Sequence, residues 1–300
     1  TMAVIGSGNS HGACSLLHAA GTGYGASVSL DLPVIVKALD RPSKRQLNDP
    51  DDLLGNVVES WLANGLALPD GMEKEDIHWA VASKIPPRRG LKSSAAISIA
   101  AVKALCEATG TELSDSEIVA ISSQSQINAG VSITGSIDDS WACLTKGWKL
   151  IDANAETIDS SVVMEGPGLN PDDWIVLLAC IDERPKIPEL EDFIPFYQEF
   201  EKALIALQQG EILNCLTING RAVCGVLNDL QGRKFANDAF LAGARSAGMT
   251  GSGPAIVIII PSLVRSSADR IISNFSKFLK DDLIVETRFL SQDNDETDSE

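Results

Sequence analysis

The stretch "IPPRRGLKSSAAISIAAVKAL", from Ile85 to Leu105, places cations, a glycine and two hydroxyls directly before an alanine-rich segment. A glycine-containing loop that feeds a helix presents backbone N–H groups at the positive end of the helix dipole, which suits a phosphate group. Lys92 adds a positive charge, and Ser93 and Ser94 add hydroxyls that can cap the helix or reach a metal. The alternative is an ordinary capped helix start. The loop is not a Walker loop, because GxxxxGK(S/T) occurs nowhere in the chain.

Two other glycine-rich stretches frame the chain. "MTGSGPA", from Met249 to Ala255, leads directly into an apolar strand-like run. "AVIGSGNSHG", from Ala3 to Gly12, suggests a strand, a glycine loop and a helix, as in a dinucleotide-binding fold. Its G-x-G-x-x-x-G spacing is one residue longer than the usual fingerprint, and it leaves the two later glycine loops unexplained.

Composition limits the class of protein. The chain has 300 residues, 44% of them hydrophobic, which is enough for one large domain or two ordinary ones. A formal charge of −17 opposes binding to nucleic acid or to an anionic membrane, so an anionic small substrate requires a local pocket of donors. The six cysteines form no CxxC pair and are interpreted as buried thiols in a reducing cytosol. The apolar runs are too short to span a membrane and no export signal is visible, so we expect a cytoplasmic protein.

The pattern of apolar residues and breakers predicts mixed helices and strands. The N-terminal segment is predicted as a short strand, a glycine/serine loop, a short helix and a second strand near 26–32, extended to residue 39. The remaining predicted helices cover 53–66, 93–108, 114–130, 193–208, 212–227, 238–247 and 263–279. The remaining predicted strands cover 77–84, 174–181, 255–260 and 283–289, and a turn with a strand-like hairpin is predicted for 132–152.

Four segments, in order, resemble those of the GHMP kinases, the superfamily of galactokinase, homoserine, mevalonate and phosphomevalonate kinases. "PPRRGLKSSAAISIA" resembles its PxxxGLxSSAA loop, and "AGVSITGSIDDSWA" resembles AGVTxTGAFDDA. "AGARSAGMTGSGPAIVI" resembles its C-terminal glycine-rich motif, and "LLHAAGTGYGASVSLDL" resembles NAIATGKGAAFGIDL. Lysine after Gly-Leu is typical of the archaeal shikimate kinases within that superfamily.

The resemblance implies an α+β, two-domain GHMP kinase fold, with a ribosomal protein S5 domain 2-like N-terminal half and a ferredoxin-like C-terminal half. We expect a first domain over 1–155, a second over 156–290 and an acidic disordered tail over 291–300. The resemblance implies ATP and Mg2+ as cofactors, shikimate as the acceptor, and no nucleic acid or membrane partner. A homodimer is compatible with the sequence, which leaves the oligomeric state open.

The resemblance also assigns roles to individual residues. The first loop would hold the triphosphate, with Ser94 near the metal, and the second glycine loop would pack against it. The residues implied in nucleotide binding are Pro87, Arg88, Arg89, Gly90, Leu91, Lys92, Ser93, Ser94, Ala95, Ala96, Gly251, Ser252 and Gly253.

The consecutive acids Asp138 and Asp139 are the implied catalytic carboxylates, with Lys92 as a catalytic cation. Asp138 aligns best with the aspartate that acts as base in several superfamily members, and Asp139 is the alternative. A carboxylate within reach of the acceptor hydroxyl takes up its proton during phosphoryl transfer. The competing interpretation is that the pair caps the segment beginning at Ser140. Because adjacent side chains point in different directions, we do not expect both carboxylates to serve the same atom.

Recognition of the shikimate carboxylate calls for an arginine or a lysine. "DERPKIPE" places Arg184 and Lys186 just after a predicted strand, and these are the substrate-binding candidates. In the divergent N-terminal segment, Asn9 and His11 are further candidates to face the substrate.

One departure from the superfamily keeps other functions open. Many members hold magnesium with a glutamate before the catalytic aspartate, whereas the stretch from Ile118 to Ile137 contains no acid. A catalytically silent ATP-binding relative is therefore one alternative. Homoserine kinase, which shares the C-terminal SGxGP pattern, is the other kinase considered.

Overall fold

The computed structural model describes residues 3–44, 47–132, 134–181 and 188–292. The predicted tail therefore lies outside the described residues from residue 293 onward. The strands are β1 (Val4–Leu17), β2 (Tyr24–Leu39), β3 (His78–Ser83), β4 (Trp148–Asp152), β5 (Val162–Gly166), β6 (Trp174–Ala179), β7 (Ser246–Met249), β8 (Ile256–Pro261) and β9 (Ile284–Thr287). The helices are α1 (Ala19–Thr22), α2 (Leu53–Ala63), α3 (Ser93–Thr109), α4 (Asp115–Asn128), α5 (Ile137–Leu144), α6 (Ile158–Ser161), α7 (Leu190–Phe193), α8 (Tyr197–Gln208), α9 (Ile212–Val226), α10 (Leu230–Leu241) and α11 (Arg265–Phe275).

A five-stranded sheet is built around the long strand β2. Its order is β1-β2-β4-β5, and β3 also pairs with β2. The first part of β2, Tyr24 to Val28, pairs with β4, and the last part, Val34 to Leu39, pairs with β3. Because β1 pairs along nearly the whole opposite edge, residues in the first half of β2 are held by strands on both sides.

The second sheet has four strands in the order β7-β8-β6-β9. After β9 the chain returns to the first sheet, where Asp31 N donates to Arg288 O and Leu290 N donates to Ser29 O. The first sheet takes its strands from residues 4–166 and the second from residues 174–287. The predicted domain division at residue 155 stays a prediction.

The described strand pairings are all antiparallel. A dinucleotide-binding fold needs a doubly wound parallel sheet, with the glycine fingerprint in the first turn between a strand and a helix. In this chain the N-terminal glycines lie within β1. The dinucleotide-binding alternative is therefore wrong.

The predicted glycine/serine loop at the N-terminus is also wrong, because β1 extends through Val4–Leu17. The predicted short helix is present as α1, which ends at the left-handed Gly23 just before β2. A Cβ atom at Gly8 would lie 1.9 Å from Ala100 O, and one at Gly6 would lie 2.1 Å from Ala104 O. These glycines therefore serve close packing of β1 against α3 rather than a turn. The small residues made the strand look like a loop in the sequence.

Two other predicted elements differ from the structure. The predicted hairpin near residues 137–144 is helix α5, which begins after the left-handed residue Ser136 and carries acids in its first turn, where the helix dipole favours them. The helix predicted over 238–247 is displaced, because α10 ends at Leu241 and Ser246–Met249 forms β7. Gly248 in β7 lies against Gly220 of α9, so small residues again mark a close contact rather than a helix.

The other local signals behave as expected. Ser114 and Glu117 form the capping box that begins α4. The cysteines are free thiols, and all but Cys106 are buried. In the described part of the chain, no helix combines the length and hydrophobicity needed to cross a membrane.

The contact between β1 and α3 generates a stability prediction. We expect Gly8→Ala to lower the free energy of unfolding by about 1–3 kcal/mol, because the methyl group has no space beside the backbone of Ala100. Asn9→Ala is the matched control, since Asn9 is exposed and its side chain contacts Lys103. Urea denaturation of both variants measures the difference, and equal effects would contradict the packing argument.

Candidate active site

A cleft of about 420 Å³ opens where the loop before α3, the first turn of α5 and the loop after β7 meet. Most of the residues predicted for nucleotide binding and catalysis line it. Those in the lining are Pro87, Arg88, Arg89, Gly90, Leu91, Lys92, Ser93, Ser94, Ala95, Asp138, Asp139, Gly251 and Ser252. Two predicted binding residues, Ala96 and Gly253, are not part of the lining.

The loop before α3 has the backbone geometry of an anion-binding loop. Arg88, Gly90 and Lys92 have positive φ angles of 57°, 77° and 65°. Lys92 is the N-cap residue of α3, and no side chain caps this helix. Ser93 and Ser94, in its first turn, line the cleft. The unpaired N–H groups of a helix start therefore lie at the cleft, where an anion can accept from them.

The second glycine loop packs directly on this first loop. Thr250 Oγ1 donates to Gly90 O at 3.0 Å, and Ala255 N donates to Arg89 O at 3.2 Å. A Cβ atom at Gly90 would lie 2.2 Å from Thr250 O, so the contact requires glycine. Ser15, near the end of β1, joins the same cluster, because its backbone N donates to Thr250 Oγ1. The second sheet thus supplies one wall of the cleft.

A buried group of charges lies at the start of α5. The Lys92 ammonium is 2.6 Å from Asp139 Oδ1, and the side chains are 7% and 17% exposed, respectively. Ser27, on β2, donates to Asp139 Oδ1 at 2.9 Å and reaches Asp138 Oδ2 at 3.2 Å. Both carboxylates therefore contact the Ser27 hydroxyl. Helical backbone turns the two side chains toward β2, where an extended backbone would have separated them.

Burial and charge shift the protonation of this group. Burial, reinforced by repulsion from Asp139, raises the pKa of Asp138 to about 7, although Lys92 and the Ser27 hydroxyl oppose the shift. Burial would lower the pKa of Lys92, but attraction from Asp139 and Asp138 reverses this and raises it. Lys92 is therefore a fixed cation, and Asp138 is a carboxyl that exchanges a proton near neutral pH.

The two arginines of the first loop have different surroundings. Arg88 is exposed and its guanidinium lies 3.5 Å from Asp51, across the mouth of the cleft. Arg89 is half-buried and donates to Cys180 O at 3.2 Å, beyond the end of β6. Arg89 therefore ties the first loop to the second sheet, in addition to facing the cleft.

His18 and Gln126 are among the cleft residues that the sequence analysis missed. His18 lies within the "LLHAAGTGYG" segment that carries part of the resemblance, but its role was not recognised. Ala20 N donates to His18 Nδ1, which leaves His18 Nε2 as the donor to Ser252 Oγ at 3.0 Å. Gln126, on α4, is buried at the cleft, and its Nε2 donates to Ser140 Oγ at 3.1 Å.

The serines behind Gln126 form a buried polar network. Ser140 Oγ and Ser98 Oγ are each hydrogen-bonded to Ser122 Oγ, at 3.1 Å and 2.6 Å. This network joins α3, α4 and α5, the helices that carry the cleft residues. Its polar atoms are paired with one another, as buried hydroxyls require.

Other sequence candidates lie away from this site or outside the described residues. His11 and Asn9, in β1, are not part of the cleft lining. His11 Nε2 is near Thr145 O, and burial lowers its pKa to about 4. The substrate candidates Arg184 and Lys186 lie outside the described residues.

The donor set for a metal is small. The described residues contain no group of three or more His, Cys, Asp or Glu that could hold a metal ion. Ser94 contributes a hydroxyl to the cleft lining. Mg2+ characteristically keeps several waters and binds through substrate phosphates with few protein ligands. The site therefore fits Mg2+ that arrives with a nucleotide, not a metal held by the protein alone.

Comparison with known proteins agrees with this geometry. The profile of the GHMP kinases N terminal domain matches residues 56–147. The chain is 28% identical over 274 residues to the shikimate kinase of Pyrococcus abyssi, covering 85% of this chain and 91% of that protein. It is 24% identical over 257 residues to the shikimate kinase of Methanothermobacter thermautotrophicus, covering 83% and 85%. The Methanococcus jannaschii mevalonate kinase structure superimposes with a TM-score of 0.70 at 17% identity, covering 95% of this chain and 98% of that one.

The protonation of Asp138 generates a second prediction. Its folded pKa of about 7 exceeds the unfolded value of about 4, so the folded state retains a proton that the unfolded chain releases. Stability contributed by this group must therefore fall as pH rises from about 4 to about 7, by up to about 1.4 kcal/mol per pH unit.

We expect Asp138→Asn to remove this dependence, so that the variant becomes more stable relative to wild type as pH rises. Urea denaturation between about pH 5 and about pH 8 measures the free energy of unfolding of the wild type and of Asp138→Asn. Asp31→Asn is the control, because Asp31 pairs with Arg288 at the surface. Wild-type and Asp138→Asn curves that stay parallel over this range would contradict the assignment.

The profile match over residues 56–147 and the structural match over 95% of the chain point to the same group of proteins. The chain has the α+β fold of the GHMP kinases, and its residues 56–147 match the N-terminal domain of that group.

Proposed function

We propose that this protein is a shikimate kinase, which transfers the γ-phosphoryl group of ATP to the 3-hydroxyl of shikimate in aromatic amino-acid biosynthesis. The observation that carries the proposal is the placement of a buried, proton-exchanging carboxyl, Asp138, in the same cleft as the uncapped start of α3. The names of the curated relatives and the lysine at position 92 support shikimate as the acceptor.

In this proposal the loop before α3 binds the triphosphate. Backbone N–H groups at the helix start and the Ser93 and Ser94 hydroxyls donate to phosphate oxygens. The Gly251-Ser252 segment closes over the same region from the second sheet. Ser94 is the protein ligand proposed for Mg2+, and the metal supplies neutralisation of phosphate charge when it is bound.

Asp138 acts as the general base. In its ionised form Asp138 accepts the proton of the acceptor hydroxyl. The hydroxyl oxygen bonds to the γ-phosphorus of ATP, and the bond from that phosphorus to the leaving ADP oxygen breaks. A pKa of about 7 keeps a useful fraction of Asp138 ionised at neutral pH while making it a stronger base than an ordinary aspartate. Lys92 forms an ion pair with Asp139 and offsets negative charge next to the transferring group.

Recognition of the acceptor carboxylate stays a prediction from the sequence. Arg184 and Lys186 remain the candidates for the acceptor carboxylate, as ion-pair donors of suitable chemistry. Location in the cytoplasm and a homodimeric state stay predictions.

Homoserine kinase is the second candidate, because it shares the fold and the C-terminal glycine motif. Homoserine kinases generally lack the catalytic aspartate, so the buried carboxyl pair favours shikimate over homoserine. A silent ATP-binding relative is disfavoured for the same reason, since a buried ionisable pair without a chemical task carries an unnecessary desolvation cost.

The function is tested by measuring ADP release with shikimate, homoserine and mevalonate in parallel. We expect turnover with shikimate, and a loss of at least about 100-fold in kcat for Asp138→Asn, because the variant has no base. Asp31→Asn, outside the cleft, is the control. Turnover with homoserine instead would move the assignment to that kinase, and wild-type activity of Asp138→Asn would remove the base.

The small metal donor set leads to a fourth prediction. We expect Mg2+ alone to give no saturable binding below about millimolar concentration, because the protein supplies few ligands, and to bind once a non-hydrolysable ATP analogue is present. Isothermal titration calorimetry with and without the analogue measures this. Tight binding of Mg2+ to the nucleotide-free protein would contradict the fit.

A further inference from the structure

Ser27 contacts the two carboxylates proposed for catalysis, and the sequence motifs assign it no role. It lies on β2, is fully buried, and its hydroxyl reaches Asp139 Oδ1 at 2.9 Å and Asp138 Oδ2 at 3.2 Å. A serine hydroxyl carries one proton, so it donates to one of these oxygens at a time. Ser27 therefore links two carboxylates of like charge that would otherwise repel each other.

The backbone of Ser27 is held on both sides. In the first sheet Ser27 is opposite Ser15 of β1 and Lys149 of β4, so its strand has a paired neighbour at each edge. A side chain on such a strand has little freedom to follow a mobile partner. The hydroxyl is thus a fixed point to which the carboxylates of α5 are attached.

The preceding residue on the same face of β2 makes room for one of those carboxylates. A Cβ atom at Gly25 would lie 2.8 Å from Asp138 Cγ and 2.9 Å from the Ala19 Cβ. Because residues two apart on a strand share a face, Gly25 and Ser27 together form a socket for Asp138. Gly25 provides the space and Ser27 provides the hydrogen bond.

The two carboxylates differ in their other partner. Asp139 Oδ1 receives both the Ser27 hydroxyl and the Lys92 ammonium, which lies 2.6 Å away. Asp138 Oδ2 is at the longer distance from Ser27. The Ser27 hydroxyl can therefore turn toward Asp138 while Asp139 keeps its ion pair with the Lys92 ammonium.

We propose that Ser27 is a positioning residue that fixes Asp138 and Asp139 relative to each other, so that Asp138 faces the acceptor hydroxyl while Asp139 stays bound to Lys92. This inference rests on the proposed kinase function. As Asp138 takes up the acceptor proton, the Ser27 hydroxyl transfers its hydrogen bond to Asp139. No covalent bond of Ser27 changes.

The charged and titratable groups around Asp138 define the expected pH effect. They are Asp139 and Cys143 on α5 and Lys92 at the start of α3. Burial raises the pKa of Cys143 well above its usual range, so this thiol stays neutral. The Ser27 hydrogen bond favours ionised Asp138, and its loss must raise the pKa of Asp138 further.

The test compares Ser27→Ala with Ser29→Ala. Ser29, two residues along the same strand, is also fully buried, and its hydroxyl donates to Gly147 O at 2.8 Å. Both variants lose one buried hydroxyl, but Ser29→Ala leaves the carboxylates untouched. We expect Ser27→Ala to lower kcat about 10- to 100-fold with little change in the KM for ATP, and Ser29→Ala to leave kcat nearly unchanged.

Two further readouts separate positioning from a general packing defect. In Ser27→Ala the acid limb of the kcat/KM profile moves to higher pH, and Ser27→Thr, which retains a hydroxyl, returns it toward the wild-type position. A pH titration of 13C-labelled aspartate carboxyls by NMR, without substrates, shows the highest aspartate pKa rising in Ser27→Ala and not in Ser29→Ala.

The outcomes are distinct from those of the function test. If wild type phosphorylates none of the acceptors, the proposed function fails, while the NMR titration still reports whether Ser27 sets the carboxylates. Equal loss of kcat in Ser27→Ala and Ser29→Ala, or an unshifted aspartate titration in Ser27→Ala, would overturn the positioning role.

Discussion

The buried ion pair between Lys92 and Asp139 is the interaction on which the arrangement of the site depends. Neither charge can be taken out of water alone without a penalty of several kcal/mol, so each holds the other in place. Lys92 is the residue from which α3 starts, and Asp139 lies in the first turn of α5. The pair therefore also fixes two helix starts relative to each other. The cleft exists between these starts because they are tied at this point.

The same pair explains why Asp138 differs from its neighbour. Lys92 forms a direct ion pair with Asp139. Asp138 is buried beside both members of that pair, the negative Asp139 and the positive Lys92. One ammonium cannot fully compensate two buried carboxylates. The pair of acids therefore holds a proton near neutral pH, and the proton resides on Asp138. Chemistry that requires a base of intermediate strength follows from an electrostatic imbalance built into the fold.

Close approach of backbones is the second requirement of the structure. Gly6 and Gly8 allow β1 to contact α3, and Gly90 allows the first loop to contact Thr250. Because the first contact fixes the helix and the second fixes its preceding loop, the uncapped start of α3 is held from both sheets. An anion-binding site of this kind depends on backbone donors, which are positioned by packing and not by side-chain identity.

The sequence by itself determined the local features whose causes are local. The α4 capping box, the glycine end of α3 and the apolar runs of β6 and β8 were predicted correctly, since short-range propensity and capping specify them. The ordered motifs indicated the kinase superfamily and its fold.

The tertiary structure alone decided that the glycine-rich N-terminus is a strand, since its glycines pack against α3, a helix distant in sequence. It likewise decided that Asp138, Asp139 and Ser27 meet, because α5 must be helical and β2 must lie beneath it before their side chains converge. Contacts between residues more than 90 positions apart leave no periodic trace in either segment, so only the folded chain reveals them.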